Sequence, residues 1–171
     1  LESLPAPAKI TLTIGIDAGG DRIANDWDCF VYPAETLTAP PSEVLVAGEL
    51  NDAVAEHLAG GGNVLLLPRP QTVNSDVQIG FSSIFWNTAW TGGQSPHTLG
   101  ILCDPTHRAL AGFPTDYHTN WQWWQLIIRS KPMVLDDLPP TLRPIVQVVP
   151  DWFLPQRLGL VVEAEVESGK L

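Results

Sequence analysis

Sixteen prolines and fourteen glycines punctuate a chain of 171 residues, and breakers at that density exclude a bundle of long helices. Short elements joined by turns are what fits between them. The length suits one domain, or one domain and part of another, at roughly 150 residues each. Hydrophobic residues make up 44% and the mean hydropathy is +0.07, so a packed core rather than disorder is expected. Nine basic residues against nineteen acidic ones give a net charge of −10. No run of Lys or Arg is present to meet phosphates, which argues against nucleic acid and an anionic membrane surface as partners. No apolar stretch approaches the roughly 20 residues of a membrane span. The opening Leu1-Glu2-Ser3-Leu4-Pro5-Ala6-Pro7 has neither an initiator Met nor a signal-peptide pattern, which leads to the expectation of a piece of a longer protein.

Strict alternation comes first. Ile10, Leu12, Ile14 and Ile16 share one face against Thr11, Thr13 and Gly15, a half-buried strand. A turn at Asp17-Ala18-Gly19-Gly20-Asp21 leads into a second strand from Asn25 to Tyr32. Two strands alone are marginal in water, so this hairpin is expected to belong to a β-sandwich completed elsewhere. A Pro-, Ala- and Thr-rich linker follows from Pro33 to Pro41. Then come a short apolar run at 44–47, a helical pattern at 50–58 with Leu50, Val54 and Leu58 on one face, a stop at Gly60-Gly61-Gly62, and a second run at 63–67. Asn51 or Asp52 is placed to cap the helix. That succession is a βαβ unit, and runs apolar on both faces suit a parallel sheet covered on both sides. Further strands are expected at 99–103, 144–149 and 158–166, the first two in the same parallel sheet. The segment 119–128 fits either helix or strand. Glu167-Ser168-Gly169 is expected to turn the chain into a return strand at Lys170-Leu171.

Few residues carry convincing chemistry. The glycines at 60–62 follow a helix and open a strand, the reverse of a phosphate loop. Cys29 and Cys103 have the spacing of neither a metal motif nor a disulfide framework, and buried free thiols are the better reading. Cys103 ends an apolar strand, where a nucleophile elbow would stand, and His107 and His118 follow. Yet its flanks are Leu102 and Asp104-Pro105 rather than glycines, and Asp104 would raise the thiol pKa. His97, His107 and His118, with Asp104 and Asp116 between them, have no spacing diagnostic of zinc. Glu163 and Glu165 share a face of a strand pattern, as a solvated sheet surface does, although a glycosidase also needs two carboxylates. Trp86, Trp90, Trp121, Trp123, Trp124 and Trp152 remain. Indole faces suit the C–H surfaces of sugars, but core and interface packing is the stronger reading.

Longer strings carry a resemblance. Asn25-Asp26-Trp27-Asp28-Cys29-Phe30-Val31-Tyr32-Pro33 resembles the end of the immunoglobulin-like domain in large bacterial glycoside hydrolases related to the family 2 β-galactosidases. Phe85-Trp86-Asn87-Thr88, the run from Thr98 to His107, the run from Phe113 to Trp124 and Leu142-Arg143-Pro144-Ile145-Val146-Gln147-Val148 resemble the accessory domain that follows it. The resemblance implies an α/β fold. Residues 1–33 would be terminal strands of the sandwich. Residues 34–171 would form a flavodoxin-like, doubly wound sheet similar to class I glutamine amidotransferases, incomplete at its C-terminus.

The function so implied is a non-catalytic accessory region of a carbohydrate-active enzyme, packing on its catalytic barrel or on a neighbouring subunit. The alternative is a sugar-binding module. No catalytic residue, metal or cofactor is carried over, because the barrel motifs and the Gly-x-Cys-x-Gly elbow are absent. Trp86, Trp90, His118, Asn120, Trp121, Trp123 and Trp124 are the candidates for carbohydrate or interface contact. The expected partners are the parent's catalytic domain, an oligosaccharide or a second copy of the chain. The expected location is periplasmic or extracellular.

Overall fold

A computed structural model describes residues 3–34, 39–80, 98–150 and 154–171. Their contacts divide the chain into two units, Leu1–Thr36 with Pro105–Asp116, and Leu37–Asp104 with Tyr117–Leu171.

In the first unit the alternating segments pair as expected. Strands β1 (Ala8–Ala18) and β2 (Asp21–Val31) are antiparallel in unbroken register from Ala8↔Val31 to Ala18↔Asp21. That register leaves Gly19-Gly20 as a two-residue loop. Both glycines have positive φ, 62° and 96°, the requirement of the tight hairpin turn whose twist matches its strands. The segment 105–116 contributes a 3-10 turn at Arg108–Leu110, capped by His107 Nδ1 accepting from the Ala109 amide at 3.2 Å. Lys9 ties the unit together, with Nζ 2.8 Å from Asp116 and 2.9 Å from Asp28. Tyr32 stacks on Phe113 with ring centroids 5.8 Å apart.

In the second unit the βαβ reading holds for its first three elements. Strands β3 (Val44–Ala47) and β4 (Asn63–Leu66) are parallel, Val44 opposite Asn63, and helix α1 (Asp52–Ala59) connects them. Asn51 is the cap, its Oδ1 accepting from the Val54 amide at 3.0 Å. Val54 and Leu58, one turn apart, pack on Val64 with Leu45, Ala47 and Leu66 around them. Leu50 precedes the cap, so it is not on the helix face where the sequence pattern placed it, and it is 66% exposed. Gly61, at φ 84°, provides the left-handed exit.

The doubly wound sheet is not there. Among the described residues the strands form three sheets, and most of the ordered backbone is β. Strands β5 (Thr98–Cys103), β6 (Met133–Val134), β7 (Val146–Pro150) and β8 (Leu158–Val161) make an antiparallel sheet in the order β5-β7-β8-β6, separate from β3 and β4. A parallel pairing of β5 with β7 needs a crossover helix to cover the sheet. Between them the described elements are 3-10 turns, the two-residue β6 and helix α2 (Trp124–Ile127), only four residues long. Coverage on both faces fails as well. Val46 and Leu65 are neighbours in register and both exposed, on the side of the β3–β4 pair away from the half-buried Leu45 and the buried Val64.

The expected strand at 158–166 is also two. β8 belongs to the antiparallel sheet, while β9 (Glu165–Val166) pairs with β10 (Gly169–Lys170) in the sheet of β3 and β4. The chain therefore passes from one sheet to the other at 162–164. The return strand does form, and Lys170 stands parallel to Asn63. Its turn takes the positive φ at Glu167, 54°, not at Gly169.

Candidate functional site

The histidine–tryptophan string is positioned by threonine. Thr119 uses its hydroxyl twice on one residue of β5, accepting from the Ile101 amide at 2.7 Å and donating to the Ile101 carbonyl at 3.3 Å. The Thr119 amide also donates to Ile101 O, and the Cys103 amide to Tyr117 O. These bonds lay 117–119 beside β5 and fix where the next turn starts. His118 pairs with Leu102 as an isolated antiparallel bridge, and its Nδ1 lies 2.9 Å from the Thr119 carbonyl oxygen. Its ring meets Tyr117 edge to face, centroids 4.7 Å apart.

From Asn120 the chain turns through a 3-10 segment, Trp121–Trp123, into α2. A helical path spreads consecutive side chains by about 100° each, so three indoles cannot share one buried stripe. Trp123 is 6% exposed and belongs to the core, whereas Trp121 and Trp124 are 65% and 47% exposed. The structure thus brings His118, Asn120 and the three tryptophans into one short segment but presents only two of the indoles. Trp86 and Trp90 lie outside the described residues, as do His97 and Trp152.

Around Cys103 the backbone is occupied. The Cys103 amide serves Tyr117, and the Asp104 amide donates to Ile145 O at 3.0 Å, so the sheet consumes the donors that an elbow would aim at an oxyanion. Among the described residues no three His, Cys, Asp or Glu side chains gather as a metal site. Glu163 and Glu165 do not share one strand. Glu163 lies in the crossing between sheets, where its Oε1 is 3.2 Å from Lys170 Nζ, and Glu165 is in β9.

A large concavity in the second unit was not visible in the sequence. It is an open cleft of about 1030 Å³ where the chain passes between the sheets. Leu50 and Leu66 come from the β3–β4 region, Met133 and Leu142 from the opposite wall, and Val166 and Leu171 from the crossing and β10 side. Glu49, Arg143, Glu163 and Glu165 supply charge.

One arginine shapes the wall at 135–142. Arg157 Nη1 donates to the carbonyls of Leu135 and Leu138, at 2.8 and 2.9 Å, and Nη2 to those of Pro139 and Leu142, at 3.2 and 3.0 Å. Its amide donates to Asp136 Oδ1 at 2.8 Å. A planar guanidinium with five donors can gather four carbonyls in this way, and an ammonium cannot. Leu138-Pro139-Pro140, an apolar and rigid stretch inside a loop, was the one local hint that this segment builds a wall.

Residues 45–171 match a family model described as "Domain of unknown function (DUF8487)". No curated protein matches the chain.

Proposed function

We propose that this chain, which belongs to the DUF8487 family, is a non-catalytic accessory region of a larger, β-galactosidase-like glycoside hydrolase, exported to the periplasm or beyond the cell. Its work in this reading is to hold the catalytic domain or a neighbouring subunit by surface contact. The class of the parent rests on the resemblance of 25–33, 85–88, 98–107, 113–124 and 142–148 alone.

The docking role rests on the β1–β2 ribbon. Register puts Ile10, Leu12, Ile14 and Ile16 beside Cys29, Trp27, Asn25 and Ile23 on one face. Ile16 and Ile23 are each 61% exposed, and Leu12, Ile14 and Trp27 are exposed as well. The opposite face is mainly polar, with Lys9, Thr11, Thr13, Asp17, Arg22, Asp26 and Asp28 beside Ala24 and the half-buried Phe30. One apolar and one polar face is the pattern of a sheet layer that packs on a second layer, and contiguous exposed apolar surface marks such contacts.

Two measurements test this. The reading frame upstream should encode a glycoside hydrolase barrel joined to this region, and a frame without one removes the enzyme class. The chain should neither turn over nitrophenyl galactoside nor bind galactosides or plant oligosaccharides saturably, followed by indole fluorescence. The exposed Trp121 and Trp124 favour one rival reading, a sugar-binding module. Saturable binding at millimolar concentration or below, lost in Trp121→Ala or Trp124→Ala, would establish the rival.

A further inference from the structure

The apolar face of the β1–β2 ribbon is laid out evenly about its own middle. Three cross-strand pairs form the exposed part, Leu12 with Trp27, Ile14 with Asn25, and Ile16 with Ile23. Nearer the base, Ile10 and Cys29 are half-buried. From Ile10 to Ile16 and from Ile23 to Cys29 this face carries no charge, because Lys9, Arg22, Asp26 and Asp28 alternate to the other side. A two-stranded ribbon needs a second layer to be stable in water. The five apolar side chains of the exposed part are each about half exposed or more. Together they leave roughly 500 Å² uncovered, so two copies face to face would bury about 1,000 Å², the least that a specific interface takes.

We infer that the ribbon packs face to face on the ribbon of a second copy of this chain, about a two-fold axis that crosses the strands at Ile14 and Asn25. The inference rests on the docking reading of that face and gives its partner, whatever the class of the parent. Rotation about such an axis keeps β1 over β1 and β2 over β2 but reverses their direction. Leu12 then stands over the second copy's Ile16, and the Trp27 indole over its Ile23, which spreads the bulk evenly along the layer. Ile14 and Asn25 meet their own counterparts. Asn25 is the one polar side chain among the three pairs, and a carboxamide is both donor and acceptor, so two of them satisfy each other. A foreign surface would have to set a polar group at that one place. An area so close to the minimum implies a weak dimer, with a dissociation constant of about 10–100 μM. Each copy carries a net charge of −10, so association tightens as salt screens the repulsion.

Sedimentation equilibrium of the whole chain, from about 1 to about 500 μM, should show a monomer–dimer equilibrium that strengthens with added sodium chloride. Ile14→Lys and Asn25→Asp, both at exposed positions, set like charges against each other at the axis and should weaken the dimer by about tenfold or more. Thr13→Lys makes the same change of net charge on the opposite face and should leave the dimer intact. A bismaleimide of about 8 Å reach, matched to packed layers roughly 10 Å apart, should join two copies of Ile14→Cys in a Cys29→Ser, Cys103→Ser background. The same reagent should not join two copies of Thr13→Cys. A monomer at every concentration overturns the inference and leaves the face to the catalytic domain. A dimer as tight in Ile14→Lys and Asn25→Asp as in the parent overturns it too, since the copies would then meet elsewhere. Loss of the dimer in Thr13→Lys to the same degree would show that charge, not the apolar face, governs association, and would overturn it as well.

Discussion

Gly169 is small because of what passes behind it, not because of a turn. A Cβ built there would run into the Gly62 carbonyl and would stand 2.7 Å from Leu58 O and 2.9 Å from Leu58 Cα. These are backbone atoms of the α1–β4 junction, which have no rotamer in which to retreat. Gly169→Ala should therefore cost about 1–3 kcal/mol, the range for overpacking a filled interior. Urea denaturation of the second unit would measure it, and a midpoint unchanged from the parent would contradict the close approach. In the sequence the same glycine reads as the end of Glu167-Ser168-Gly169, a turn. The turn was legible and the glycine's role was not, because close packing across about a hundred residues leaves no local signature. At Trp121-Gln122-Trp123-Trp124 the reverse holds. Either a helix or a strand must leave an indole outside, so exposure was legible before the backbone path was known.

At the scale of elements, what the sequence conveys is what local forces decide. The hairpin follows from alternation and from Gly19-Gly20, and α1 from Asn51, Val54, Leu58 and Gly61, all within a few residues of one another. Pairing between β5 and β7 is decided by partners more than forty positions apart. Their apolar runs read alike for parallel and antiparallel sheets, so extending the parallel reading of the βαβ unit to them chose wrongly. The cleft failed for a similar reason, being assembled from three distant segments. Its wall at 135–142 depends on Arg157, and bonds to a charged donor contribute about 1.5–3 kcal/mol each at most sites. Arg157→Lys should keep the charge but release part of the four-carbonyl grip, and Arg157→Ala should release all of it. Amide exchange at Leu138 and Leu142, whose amides donate to Leu135 and Pro139, should quicken in the order arginine, lysine, alanine. A lysine variant as protected as the parent would show that charge alone suffices.

At the scale of the whole molecule, the two units answer to different conditions. The first draws its discontinuous segments together through Lys9, whose pKa is raised first by the hydrogen bond to Asp116 and then by that to Asp28. A raised folded value means that the stabilisation is fully present below the ordinary lysine value of 10.5 and is lost as pH climbs through the higher folded value. The pair is largely exposed, so the effect is small and screened by salt. Melts followed by Trp27 in the first unit should show an alkaline loss above pH 10.5 that Lys9→Gln abolishes, while the second unit is unmoved by that substitution. An identical alkaline loss in Lys9→Gln would assign it to other groups. The second unit carries a different constraint, one of timing. β4 meets α1 and β3 almost as soon as it is synthesised, but the strand on its other side arrives with Lys170, more than a hundred positions later. A ribosome would therefore expose a half-built sheet through most of elongation, and closing so long a loop delays the last contact. The nascent chain should stay sensitive to protease around β4 until Gly169 and Lys170 have left the exit tunnel, and early protection there would contradict this order of assembly.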